Sequence, residues 1–180
     1  MEINEILPEG KRIRVISISL GVGTQLNNGQ KALDSIRRAR EKGIYTAYVG
    51  SDEYSGMGRV PTSDPDDFKN YIPGAFLSNA FFSGRLATSE IWIPMDSRCT
   101  ASPTGTEDYV YYSEGGMSWT VPYVAGLYAL ACQVKPDVTP ELFWDIARKT
   151  GSTNEILKDG KAYKFGKIVD PVKLIESLSK

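Results

Sequence analysis

The chain has 180 residues, the length of one ordinary domain, with 41% hydrophobic and 24% charged residues and a net charge of −1. That balance suits a packed globular core, and without a long run of like charges neither nucleic-acid binding nor a membrane-surface role has its usual electrostatic footprint. There is no histidine, which removes the commonest general base and the commonest metal ligand.

The opening, MEINEILPEGKR, is too polar for the apolar part of an export signal, and no stretch of about 18 apolar residues follows. The compartment is therefore left open. Ile3, Ile6 and Leu7 read as the last turn or two of a helix that begins outside the chain. Ile13 to Val22 is a β-branched run ending near glycine, as expected of a strand buried on both faces. After Asn27-Asn28-Gly29 a helical pattern places Ala32, Leu33, Ile36 and Ala39 on one face and Arg37, Arg38, Arg40 and Lys42 elsewhere, with Gly43 at the stop. Ile44 to Gly50 is a second buried strand. Strand, helix, strand is a βαβ unit, which builds parallel sheets.

Ser51 to Gly84 is rich in Gly and Pro but carries Phe68, Tyr71, Phe76, Phe81 and Phe82, so it reads as an excursion packed over the sheet. Glu90 to Met95 resumes a strand, and Ser97 to Gly116 is loop with a short aromatic strand, YVYY, inside it. From Pro122 the pattern is helical and apolar nearly all round, which belongs in a core. Pro136 ends that helix. Thr139-Pro140-Glu141 and Asp170-Pro171 each supply an N-cap followed by an N1 proline, opening two more helices. The expected fold is a single α/β domain over residues 1–180, with three layers, a mostly parallel sheet and helices on both faces.

Few constellations carry chemistry. Gly21-Val22-Gly23 lacks the third glycine of a dinucleotide fingerprint, since Leu26 stands there, and reads as strand-end glycines. Asp64, Asp66 and Asp67 lack the spacing of a calcium loop and read as a solvated turn start. Cys99 and Cys132 are the only cysteines and form no CxxC; Cys132 reads as a small core residue. No metal or cofactor is expected. Ser118 is the strongest case: Gly115 and Gly116 permit a sharp turn, and Pro122 is expected in the first helical turn. A hydroxyl at the positive end of a buried helix suits a nucleophile, because a developing oxyanion is favoured there. The plainer reading of Ser118 is an N-cap.

MSWTVPYVAGLYALACQVKPDVTPELFWDIARKTG resembles the nucleophile region of the subtilisin-like serine peptidases. Their signature reads Gly-Thr-Ser-Met-Ala-x-Pro-x-Val-Ala-Gly, then an alanine-rich buried helix and a proline-capped second helix. Gly116, Ser118, Pro122, Val124, Ala125 and Gly126 match it, while Met117, Trp119 and Thr120 replace its threonine, methionine and alanine. VISISLG resembles the family strand ending in Ser-Leu-Gly, which implies that Ser19, Leu20 and Gly21 form a wall pairing with substrate backbone. KGIYTAYVGSDE resembles the strand leading to the family's oxyanion asparagine, and FGKIVDPVKLIESL resembles its closing segment.

The resemblance implies the C-terminal part of a catalytic domain, with the N-terminal strands lacking and Ser118 as catalytic nucleophile. The departures are specific. Ser51 stands at the oxyanion asparagine position with Asp52 beside it, and losing one such donor costs about 2.7–4 kcal/mol of transition-state stabilisation. The family's aspartate and histidine lie upstream of the strand matched by residues 13–20, and no histidine substitutes for them. Zero histidines alone does not exclude the sedolisin branch, whose base is a glutamate, but its acidic partners also lie upstream.

The implied function is serine-type endopeptidase chemistry through an acyl-enzyme on Ser118, provided that an aspartate and a histidine are supplied from upstream. The alternatives are an inactive relative that binds a peptide or partner, and a plain α/β binding domain with an N-cap serine. The partners implied are a peptide or protein substrate and the missing N-terminal half of the domain. Its absence is expected to leave a sheet edge and part of the Ser118 helix uncovered.

Overall fold

The computed structural model describes residues 2–74, 76–86 and 91–180. A short helix α1 (Glu2–Ile6) precedes β1 (Val15–Gly21), α2 (Gly29–Glu41) and β2 (Tyr45–Val49), and β1 and β2 pair in parallel. This is the βαβ unit that the periodicity predicts. Gly43, at φ +74°, closes α2 in the left-handed conformation that costs glycine nothing.

The expectation that the first strand is buried on both faces is wrong for β1. Ile16, Ser17, Ser19, Leu20 and Gly21 are exposed, and only Val15 packs against the core. The reason is topological: among the described residues β2 is the only strand hydrogen-bonded to β1, so one edge stays open.

A second sheet has the order β4-β3-β5-β9-β8, built from β3 (Tyr54–Arg59), β4 (Tyr71–Pro73), β5 (Ile91–Pro94), β8 (Ser152–Lys158) and β9 (Lys161–Ile168). Here β3–β5 and β5–β9 are parallel, while β4 and β8 pair antiparallel at the two edges. A separate antiparallel hairpin joins β6 (Arg98–Ala101) to β7 (Tyr109–Tyr112). The architecture is thus α/β with mixed sheets, which corrects the expectation of a mostly parallel one. The cause is local at β8–β9, where Asp159 (φ +51°) and Gly160 (φ +74°) make a two-residue turn with both central residues left-handed. Such a turn returns the chain antiparallel. Glu90, the first residue of the strand expected over Glu90 to Met95, lies outside the described residues.

Strand alternation splits the core in two. Tyr54, Ile91 and Ile93 face α4 (Met117–Val134), α5 (Pro140–Thr150) and α6 (Pro171–Leu178), and pack with Val124, Tyr128, Phe143 and Leu174. Met57 and Trp92 face the other way, toward Tyr71, Phe81 and Phe165. Phe81 lies in α3 (Ser78–Phe82), with its ring centroid 5.3 Å from that of Phe165. The excursion from Ser51 to Gly84 therefore does cover the sheet, although Phe76 is exposed. It also contributes β3, which the sequence pattern does not reveal because Ser55, Gly56 and Gly58 break its apolar run.

Long-range polar contacts fix how the helices meet the sheets. Arg14 donates to the carbonyls of Pro136 and Val138, tying the start of β1 to the α4–α5 loop. Thr139 Oγ1 accepts from the Leu142 N–H at 3.2 Å and Asp170 Oδ1 from the Lys173 N–H at 3.1 Å, so both expected caps form. α4 is less enclosed than its composition suggests. Gly126, Leu130 and Val134, spaced by four residues, are exposed along one stripe.

Two measurements check this packing. In urea, Phe143→Ala should cost about 3–5 kcal/mol and Thr139→Ala about 1 kcal/mol; equal losses would contradict the assigned burial. Burial also pushes the Tyr128 phenol, whose hydroxyl donates to the Val138 carbonyl at 3.2 Å, from 10.0 up to about 12. Because the folded state holds this proton more tightly, the associated stability is intact below pH 10 and is lost as pH rises toward 12. Unfolding curves across that range should show the decline, and Tyr128→Phe should make it shallower.

Candidate active site around Ser118

Ser118 owes its position to the end of β5. Met95 is fully buried and fills the gap left by Gly56 and Gly74, where added Cβ atoms would lie 2.5 Å from its Sδ and 1.9 Å from its Cε. The next residue, Asp96, accepts the Gly115 N–H at 2.7 Å. Gly115 itself sits so close to the Met95 backbone that a Cβ there would lie 1.9 Å from the carbonyl oxygen. The sharp turn expected at the two glycines is not formed there: the chain bends at Ser113 and Glu114, Gly116 is extended, and what requires the absence of a side chain is the close approach of Gly115 to Met95.

Gly116 is the N-cap of α4, in extended conformation at φ −161°, and no side chain caps the helix. The Trp119 N–H donates to the Gly116 carbonyl at 2.8 Å, and Thr120 Oγ1 donates to the Met117 carbonyl at 2.6 Å. Ser118 is thus the second residue of the helix rather than its cap, and it is exposed. Its backbone N–H lies in the first turn, where donors have no intrahelical acceptor and the helix dipole is positive. Because the helix starts at Met117, Pro122 falls in its second turn and not in the first as expected. Lacking an N–H, Pro122 leaves the Ser118 carbonyl without its usual intrahelical donor. Beside this start, the Trp119 ring packs 5.0 Å from that of Tyr112 in β7.

The residues expected near the oxyanion are placed differently. Ser51 follows Gly50, which turns the chain at φ +96° after β2. The Ser51 hydroxyl donates to Glu53 Oε2 at 3.3 Å and accepts the Glu53 N–H at 3.3 Å. Glu53 also accepts from the Tyr45 hydroxyl at 3.1 Å and from Arg40 Nη1 at 2.9 Å, while Arg40 Nε reaches Glu141 at 2.7 Å. Burial opposes the Arg40 charge, yet Glu141 and Glu53 outweigh it and raise its pKa. Burial and the Glu53 charge push the Tyr45 phenol well above its ordinary range. Asp52 is exposed, and no hydrogen bond joins Ser51 or Asp52 to Ser118 among the described residues. Nothing local in sequence signals this network, because Arg40 lies 13 residues from Glu53 and 101 from Glu141.

Ser19, Leu20 and Gly21 line the open edge of β1. The ladder to β2 runs Ile18↔Tyr48 and then Gly21↔Val49, so Ser19 and Leu20 have no partner across it. Among the weaker candidates, Asp64 Oδ1 accepts the Asp66 N–H and Asp67 Oδ1 accepts the Lys69 N–H. The acid cluster therefore opens the 3-10 turn Phe68–Asn70, as read from the sequence.

No family model and no curated protein matches the chain. Among solved structures it is similar to a protease from Pseudoalteromonas arctica, with 21% identity and a TM-score of 0.49 over 92% of this chain and 51% of that one. It is also similar to MycP1 with the N-terminal propeptide removed, with 20% identity and a TM-score of 0.46 over 90% of this chain and 61% of that one. The chain thus spans only part of each of these proteins.

The two glycines give a direct check. Gly115→Ala should destabilise the chain by about 1–3 kcal/mol, the usual range for forced overpacking. Gly116→Ala, whose Cβ meets nothing within 4 Å, should stay within about 0.5 kcal/mol of the parent. Thermal unfolding of the two variants separates them, and equal effects would contradict the close approach of Gly115 to Met95.

Proposed function

We propose that this chain carries the nucleophile-bearing part of a subtilisin-like serine endopeptidase, with Ser118 as the attacking residue. The observation that carries this reading is the placement of Ser118, exposed in the first turn of a long helix that no side chain caps and whose start is tied to the end of β5 by the Asp96–Gly115 hydrogen bond. The signature-like run from Gly116 to Gly126 supports it. In this reading Ser118 Oγ attacks the peptide carbonyl to form an acyl-enzyme, and the Ser118 N–H donates to the oxyanion. The edge of β1 away from β2, at Ser19, Leu20 and Gly21, takes an extended substrate by strand addition.

The reaction needs a general base, and the chain has no histidine. The base and its carboxylate partner come from residues outside these 180, because a neutral serine hydroxyl is a poor nucleophile. One observation favours the second reading, an inactive relative that binds a peptide or partner through the same edge. The Ser51 hydroxyl, at the oxyanion position, is turned to Glu53, and a carboxylate beside a developing oxyanion opposes it.

Fluorophosphonate labelling tests both. The isolated chain should not label. Combined with a polypeptide bearing the family's aspartate and histidine segments, it should label at Ser118 and cleave casein, and Ser118→Ala should abolish both. Stoichiometric labelling of the isolated chain contradicts the proposal; persistent silence of the combined chains, with peptide still bound, supports the inactive reading. Ser118→Ala should also leave stability within about 0.5 kcal/mol, since Gly116 and not Ser118 is the cap.

A further inference from the structure

Three parallel strands end at a cavity of about 470 Å³. Arg59 closes β3, Pro94 closes β5, and Val169 and Asp170 follow β9. In α/β sheets ligands bind outside the carboxyl ends of the strands, and this volume lies in the range of small-molecule sites.

The cavity has an unusual charge arrangement. Arg98, the first residue of β6, is half-buried with its guanidinium 4.9 Å over the Tyr123 ring. Arg59 shares the cavity, and its Nη2 donates to the Ser97 carbonyl at 2.7 Å. Neither arginine makes an ion pair among the described residues. The nearby carboxylates are engaged by other groups. Asp170 caps α6 and pairs with Lys173 at 2.8 Å, and Asp96 accepts the Gly115 N–H. Asp66 is exposed at the rim. Burial lowers the Arg98 pKa, and the Arg59 charge adds to that fall against the Tyr123 and Tyr71 phenols. Arg59 and Arg98 line one cavity with no carboxylate ion-paired to either among the described residues, and a guanidinium presents its N–H donors in the planar arrangement that suits a carboxylate. Phe68 and Tyr71 complete an aromatic wall, with ring centroids 5.9 Å apart.

We infer that this cavity binds a small organic carboxylate, its charged group held by Arg98 and Arg59 and its apolar body against Phe68 and Tyr71. A carboxylate fits better than a phosphate ester, which carries about −1.5 to −2 charges near neutrality, because Asp66, Asp96 and Asp170 also line the space and repel a dianion. The site is independent of the Ser118 reading and stands or falls without it.

Calorimetric titration of the full chain with benzoate tests the assignment, with phenyl phosphate and benzyl alcohol as comparators. Benzoate should bind saturably, more tightly than phenyl phosphate, and benzyl alcohol should not compete. Arg98→Gln and Arg59→Gln should each weaken benzoate binding about tenfold or more, as expected for a lost charge-assisted hydrogen bond. If the Arg98→Gln chain does not fold, Arg98→Lys, which keeps the charge but loses the fork, is read in the same way. Saturating benzoate should also slow alkylation of Cys99, which lines the cavity, relative to Cys132. Absence of saturable binding, unchanged affinity in the arginine variants, tighter binding of phenyl phosphate, or unprotected Cys99 would each overturn the assignment.

Discussion

The approach of Gly115 to the Met95 carbonyl, with the Asp96–Gly115 hydrogen bond beside it, is the contact on which the placement of Ser118 depends. It joins the end of β5, whose Ile91 and Ile93 are core residues, to the start of α4, whose Val121 and Val124 are buried on the same side of the sheet. A side chain at 115 would push strand and helix apart, because backbone cannot yield as a flexible side chain does. Met95 transmits the constraint further, since it occupies space that Gly56 and Gly74 leave open. Gly56, which weakens β3 as an isolated strand, is what lets the sheet receive Met95 and Met117.

Charge is distributed around this frame in two contrasting ways. On one side Arg40 links Glu53 to Glu141, and Glu53 in turn gathers Tyr45 and Ser51. That network is satisfied: each charge has an opposite neighbour, and its consequence is to draw the Ser51 hydroxyl toward a carboxylate. On the other side Arg59 and Arg98 share a cavity with no ion pair of their own among the described residues. Asp66, Asp96 and Asp170 line the same cavity, but among the described residues none is ion-paired to either arginine, so the guanidinium N–H groups keep donor capacity for a ligand. The two arrangements therefore suit different roles, one structural and one for a ligand.

Much of this is legible in the sequence where the signal is local. The caps at Thr139 and Asp170, the stop at Gly43 and the βαβ unit from Val15 to Val49 all depend on residues a few positions apart. Ser118 is legible for the same reason, because the glycines before it and the apolar helix after it are contiguous. Pro122 lies one turn deeper in its helix than its sequence context implies, since the helix begins upstream of it at Met117. The glycines of β3 hide that strand from any apolar pattern, and β8 and β9, reversed by the Asp159-Gly160 turn, carry no apolar run that marks them as strands.

By itself, then, the sequence determined α2, α5 and α6, the caps at Thr139 and Asp170, the body of α4 and the first parallel pair, because each follows from periodicity or from a cap within one or two turns. Only the tertiary structure decided that the open edge lies at β1 among the described residues, that Ser51 is held by Glu53, and that Arg59 and Arg98 line one cavity at the ends of parallel strands. Those facts rest on residues far apart in the chain, and their energies come from desolvation and charge in a shared space. No window of sequence contains that space until the sheet has formed.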